Sequence, residues 1–144
     1  MIRKAVGAIA RYKDKFILVR KVQISNAKNG PIKIKPRWDY PKGGIKEGED
    51  LKEALFRELE EETGSNDYKI LEKFDKSLKF EFKDERLGWD GQNTIMFLVE
   101  FMGNPKELKP KDKEIDKVCL FSKDKILEKL PFKESKEFFR EFVI

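Results

Sequence analysis

The sequence predicts a mixed α/β sandwich in a single domain, and three observations lead there. Apolar, β-branched runs separated by charged turns recur through the chain, one long acid-rich helix interrupts them, and two helical segments close it. A length of 144 residues gives room for one core and not for two.

The elements follow in order. "KAVGAIA" and "KFILVRKV", split by "RYKDK", read as two strands joined by a turn. "SNAKNGPIKIKPR" reads as a basic loop with a short edge strand at "IKIK", and "RWDYPKGG" as a brief extended piece, because Tyr40 precedes a proline and is biased away from helix. A helix is predicted from about Asp50 to Thr63, acidic at its start and stopped by Gly64. "YKILEKF" and "SLKFEF" alternate as strands do, "KDERLGWDGQ" reads as a loop, and "NTIMFLVEFM" is the most apolar strand. After the charged loop "GNPKELKPKDKE" comes the short strand "KVCLF", in which Cys119 reads as buried. "SKDKILEKL" opens on a serine N-cap, and Phe138, Phe139, Phe142 and Val143 fall at helical spacing in a closing helix packed on the sheet.

Composition narrows the chemistry. Charged residues make up 41%, with 32 Lys+Arg against 27 Asp+Glu and a formal charge of +5. That balance favours anionic partners such as nucleotides or RNA only weakly, since soluble and heat-adapted proteins share it. Histidine is absent, which removes His acid/base catalysis, Ser-His and Cys-His nucleophiles and the usual zinc sites. The lone Cys119 forbids an intramolecular disulfide. No apolar run approaches the roughly 18 residues of a membrane span, and charge breaks the first apolar stretch too early for a signal peptide. No membrane partner and a cytoplasmic location are expected.

The predicted helix carries acid where it should be apolar. At about 100° per residue, Leu51, Ala54, Leu55 and Leu59 share one sector, and Glu58 and Glu62 project into it with Glu61 at its edge. Three carboxylates crowding one end of a buried face repel one another unless a cation sits among them. Oxygen-only ligands favour a hard ion, Mg²⁺ or Mn²⁺, over zinc. The alternative, a solvated acidic stripe, explains the acids less well because they lie on the apolar side. Directly upstream, Pro41, Gly43, Gly44 and Gly48 form a turn that lets backbone approach an anion or metal.

Gly43, five residues, Glu49, seven residues, Arg57-Glu58-Leu59, then Glu61-Glu62 and Gly64 resembles the Nudix box, here residues 43–65. The last position, usually a bulky aliphatic, is Ser65. Beyond the box, "RWDYPKGGIKEGED", "GWDGQNTIMFLVEF" and the closing segments resemble the diadenosine tetraphosphate hydrolase and RNA pyrophosphohydrolase branch, so the likeness covers nearly all of residues 1–144. A late-strand tryptophan of that branch has no counterpart, and Asp90 stands where lysine is common.

The resemblance implies a Nudix-type α/β/α sandwich and hydrolysis of a nucleoside diphosphate linked to another group, by water attack at phosphorus. Glu58, Glu61 and Glu62 would ligate Mg²⁺ or Mn²⁺, with Glu114 as an extra ligand or the general base; a solvated loop acid is an equal reading of Glu114. Arg57 would orient the acids, Glu49 would hold the loop-helix junction that Gly64 ends, and carbonyls around Lys42, Gly43 and Gly44 would complete coordination. Lys42, with Arg20, Lys33, Lys35 and Arg37, could meet phosphates. Trp38, Tyr40, Phe80, Phe82 and Trp89 could stack a base, with Trp89 preferred and Phe80 and Phe82 read mainly as core. The leading expectation is a dinucleoside polyphosphate substrate such as diadenosine tetraphosphate, giving ATP and AMP. RNA 5′ triphosphates are the close alternative; a non-catalytic Nudix-fold binding module is the second reading, disfavoured because Glu58, Glu61 and Glu62 are all present, and a nucleoside triphosphate pyrophosphatase the third. A monomer or weak dimer is expected.

Overall fold

A computed structural model describes residues 1–143. Its strands are β1 (Ile2–Tyr12), β2 (Lys15–Ile24), β3 (Ile32–Asp39), β4 (Lys42–Gly44), β5 (Tyr68–Lys73), β6 (Leu78–Glu81), β7 (Gly91–Phe101) and β8 (Ile115–Ser122). The helices are α1 (Leu51–Thr63), α2 (Lys123–Lys129) and α3 (Lys133–Phe142).

The strands form one mixed sheet in the order β3-β2-β1-β7-β5, with β4 also paired to β1, β6 to β7 and β8 to β2. β1 and β7 run parallel through the centre, in register from Ile2 with Gly91 to Arg11 with Glu100, and the other pairings are antiparallel. Both central strands are buried on two faces, so they read as nearly continuous apolar runs.

Alternation along these strands builds two cores. Val6, Ala8, Ala10, Ile17, Phe97, Val99 and Phe101 face α1 through Ala54, Leu55 and Leu59. Ile9, Phe16, Leu18 and Met96 face the other way and meet Ile126 of α2, Leu130 at its C-cap, and Phe138 and Phe139 of α3. Phe139 stands edge-on to Phe16 at 5.1 Å, which anchors α3 to the sheet. The α/β/α sandwich expected from the sequence is therefore the fold.

Several local expectations change. β3 extends well past "IKIK" to Asp39, because β2 continues far enough to pair with it, across a bulge. β8 is longer than "KVCLF" and antiparallel to β2, and Cys119 is half-buried rather than buried because β8 pairs at the outer side of β2. Ser122 occupies the N-cap position of α2, yet its side chain makes no capping hydrogen bond. Asp50 does cap α1, accepting from the Glu53 amide at 2.8 Å, and Gly64 ends it at φ 85°, a left-handed conformation suited to glycine. No helix of the described residues is long and apolar enough to cross a membrane.

Candidate active site

The acid face of α1 lies beneath β4, and the fit between them is set by one missing side chain. A Cβ on Gly43 would collide with the Glu58 carboxyl group, so the box glycine is where strand and acid touch. Glu58 and Glu62 are buried, while Glu61 is half-exposed at the rim. Glu62 accepts from the Lys42 amide at 3.0 Å, tying the helix to β4.

Burial pushes the carboxyls of Glu58 and Glu62 above the ordinary carboxylate range, and neighbouring acids add to the effect. For Glu58 the Arg57 guanidinium opposes it; for Glu62 the more distant Lys21 does. Apolar helix packing thus forces these groups into a place they occupy at a cost, which a divalent cation would offset.

Arg57 accounts for the box spacing. It donates from Nε and Nη2 to Glu49 at 2.6 and 2.8 Å, from Nη1 to Glu58 at 2.6 Å and Glu61 at 3.3 Å, and from Nη2 to the Gly44 carbonyl at 2.9 Å. One guanidinium therefore binds the glycine strand, the junction and two of the acids. Its hydrogen bonds hold the Glu49 carboxyl down at about 2. Glu49 also accepts from the Lys46 amide at 2.9 Å, closing the turn before the helix.

The loop before β8 completes the cluster. Carboxylate oxygens of Glu62, Asp112 and Glu114 lie within 4.8 Å of one another, close enough to share one ion. Glu114 is fixed by the Ser25 amide at 2.6 Å and by Lys21 at 3.6 Å, and Asp112 accepts from the Glu114 amide at 2.9 Å. Sequence reasoning missed Asp112. Its signal was present, an acid two residues before Glu114, but "KPKDKEID" offers several acids and only the fold selects among them.

Of these groups Arg57, Glu58, Glu61, Asp112 and Glu114, with Gly43 and Gly44, line a cavity of about 610 Å³, while the buried Glu62 is not part of its wall. A second cavity of about 290 Å³ adjoins it, walled by Phe80, Phe82, Phe132, Trp89 and Arg37. Trp89 lines both, as does Lys42.

Two of the expected base-stacking residues are elsewhere. Tyr40 is buried and donates from its hydroxyl to the Ser135 carbonyl at 2.7 Å, its ring packed in the second core with Phe138 and Phe139 of α3. Trp38 stands edge-on to Phe121 at 4.9 Å and lines neither cavity. Phe80, read mainly as core, does pack against the second core and also lines the second cavity, whereas Phe82, read the same way, is half-buried in that cavity's wall. Lys42 also differs from a free phosphate clamp. Its ammonium is buried, paired with Asp39 at 3.1 Å and 4.3 Å from the Phe80 ring centre. Arg20 pairs with Asp116 at 2.8 and 2.5 Å, and Lys33 and Lys35 lie exposed on the edge strand.

An acid-lined cleft between a helix and a glycine strand, on a mixed sheet sandwiched by helices, is a set of oxygen donors that could hold a divalent cation. The chain belongs to the Nudix family: the family model described as NUDIX domain matches residues 1–142. It is similar to proteins named RNA pyrophosphohydrolase from Pelagibacter ubique, 32% identical over 118 residues, and from Sulfurovum sp., 36% identical over 101 residues. Those matches cover 78% and 66% of this chain, and 70% and 58% of the two relatives. Among solved structures it resembles a MutT protein from Methanosarcina mazei at 26% identity and a TM-score of 0.71, covering 98% of this chain and 92% of that one. A Caenorhabditis elegans Ap4A hydrolase shares the fold at 19% identity, with a TM-score of 0.71 and 98% and 95% coverage.

Proposed function

We propose that the chain is a divalent-metal-dependent pyrophosphohydrolase acting on a phosphoric anhydride of a nucleotide. The observation that carries this reading is the gathering of Glu62, Asp112 and Glu114 beside Glu58, under a strand whose glycine admits the carboxylate. A set of oxygen donors alone, partly desolvated and crowded, suits Mg²⁺ or Mn²⁺.

Glu58, Glu61, Glu62, Asp112 and Glu114 would hold the ions. Bound there, the metal supplies charge neutralisation for the phosphate chain and a lowered pKa for the attacking water. The protein's own groups do the rest. Arg57 fixes Glu58 and Glu61 against the Gly44 carbonyl. Glu114, held in the cleft wall by Ser25 and Lys21, would give one carboxylate oxygen to an ion and keep the other to accept the proton of the attacking water. A carboxylate base makes the missing histidine no obstacle.

Within this reaction, RNA 5′ triphosphate ends take first place as substrate, because the curated relatives named above are RNA pyrophosphohydrolases. The sequence-based preference for diadenosine tetraphosphate becomes the second reading, since "WDYPKGG" stands between the patterns of the two subgroups. A product-resolved assay on triphosphorylated RNA, dinucleoside polyphosphates, ADP-ribose and nucleoside triphosphates, with metal and with EDTA, tests both. Metal-dependent release of pyrophosphate from RNA is expected; metal-independent binding without product would instead identify a non-catalytic module.

A further inference from the structure

We infer that Arg3, aimed by Gln92, seats the substrate phosphate nearest the nucleoside. Which phosphate this is rests on the proposed pyrophosphohydrolase reaction; that an anion belongs here rests on Arg3 itself.

Three cations line both cavities: Arg3, Lys21 and Lys42. Two are already engaged, Lys21 by Glu114 at 3.6 Å and Lys42 by Asp39 at 3.1 Å. Arg3 is not. Its guanidinium is half-buried, and among the described residues its one side-chain hydrogen bond runs from Nη1 to Gln92 Oε1 at 3.2 Å. No carboxylate of the described residues lies within ion-pair distance. Glu58, Glu62 and Glu114 attract it only from farther off, and these are the acids assigned to divalent ions. A guanidinium carries five N–H donors, and withdrawing it from water without a counter-ion is unfavourable. Arg57, on α1 and bonded to the Gly44 carbonyl, shows what satisfaction looks like, with five hydrogen bonds.

The fork is also held in place. Gln92 is buried and donates from Nε2 to Thr94 Oγ1 at 3.2 Å, which leaves its Oε1 for Arg3. On the other side, Arg3 Nη2 lies 2.5 Å from where a Cβ on Gly44 would stand, so the guanidinium rests directly on the glycine strand. This gives "GWDGQ" a purpose that the acid cleft leaves unexplained: Gln92 is a positioning residue for a cation on the neighbouring parallel strand. A nucleotide with its cleaved anhydride at the acids and its base near Phe80 or Trp89 must pass the intervening phosphate across this seam. A planar fork suits two phosphate oxygens at once.

Calorimetric binding of adenosine 5′-(α,β-methylene)diphosphate, which cannot be cleaved at that bond, with Mg²⁺ present tests the seat on the full chain. Arg3→Ala is expected to weaken binding on the order of tenfold to a hundredfold. Arg3→Lys should restore only part, because it returns the charge without the fork, and Gln92→Leu should fall between. Adenosine, lacking phosphate, should bind wild type and variants alike. If Arg3→Ala fails to fold, Arg3→Gln takes its place. Unchanged affinity in the Arg3 variants, or an equal loss for adenosine, overturns the seat. A wild type that binds the diphosphate tightly but cleaves no anhydride overturns the proposed reaction and leaves the seat standing. Turnover with KM and analogue affinity unmoved by Arg3→Ala does the reverse.

Discussion

Replacing Glu62 by glutamine should make the metal-free protein more stable and the enzyme nearly inactive. Glu62 is 3% exposed, and its carboxylate lies within 4.8 Å of both Asp112 and Glu114. At that separation one unit charge repels another by about 3–4 kcal/mol at the effective dielectric of a partly buried site. Lys21 and solvent cancel much of this, leaving roughly 1–2 kcal/mol of relief. Glutamine keeps the volume and an oxygen to accept from the Lys42 amide at 3.0 Å, so no cavity or orphan donor opposes the gain. The melting temperature in EDTA should therefore rise by roughly 2–6 °C. Excess Mg²⁺ at about a hundred times its Kd stabilises a protein by about 2.7 kcal/mol, and the variant should lose most of that increment. Turnover should fall by roughly a hundredfold or more. Differential scanning calorimetry with and without EDTA, beside a product assay, measures all three. A variant destabilised in EDTA but turning over at the wild-type rate would refute the assignment of Glu62 to a cation site.

Arg57→Lys should cost about 2–4 kcal/mol in urea unfolding and most of the activity, since an ammonium cannot span Glu49, Glu58 and the Gly44 carbonyl together. Gly43→Ala should fold yet lose turnover, with KM changed less than kcat, because the new Cβ displaces Glu58; kinetics on the purified variant would show it. Tyr68 gives a pH test. Burial pushes its hydroxyl up to about 12, against about 10 when unfolded, so its contribution is complete below pH 10 and lost as pH rises towards 12. Tyr68→Phe should flatten that alkaline loss of about 2–3 kcal/mol, followed by chemical denaturation at stepped pH. EDTA should abolish hydrolysis, and added Mn²⁺ or Mg²⁺ should restore it.

What was legible in the sequence was what short-range physics dictates. The acids of α1 stood out because a 3.6-residue period placed them on a face that Leu55 and Leu59 bury. Gly64, Asp50 and the apolar runs of β1, β2 and β7 likewise carry their roles locally. What was hidden depends on contacts between distant segments. Asp112 joins Glu62 across 50 positions of chain, and Arg3 meets Gln92 because β1 and β7 run parallel, a pairing no local pattern announces. Tyr40 and Trp38 misled for the same reason: an aromatic before "PKGG" is equally suited to a base or to a core, and only the packing of α3 and β8 decides.

Anomalous scattering from Mn²⁺ introduced into crystals of the protein tests the central assignment most directly. Peaks are expected among Glu58, Glu62, Asp112 and Glu114 beneath Gly43, and Asp112→Asn or Glu62→Gln should abolish or weaken them. An enzyme that hydrolyses its anhydride with no metal peak in that cleft would contradict it.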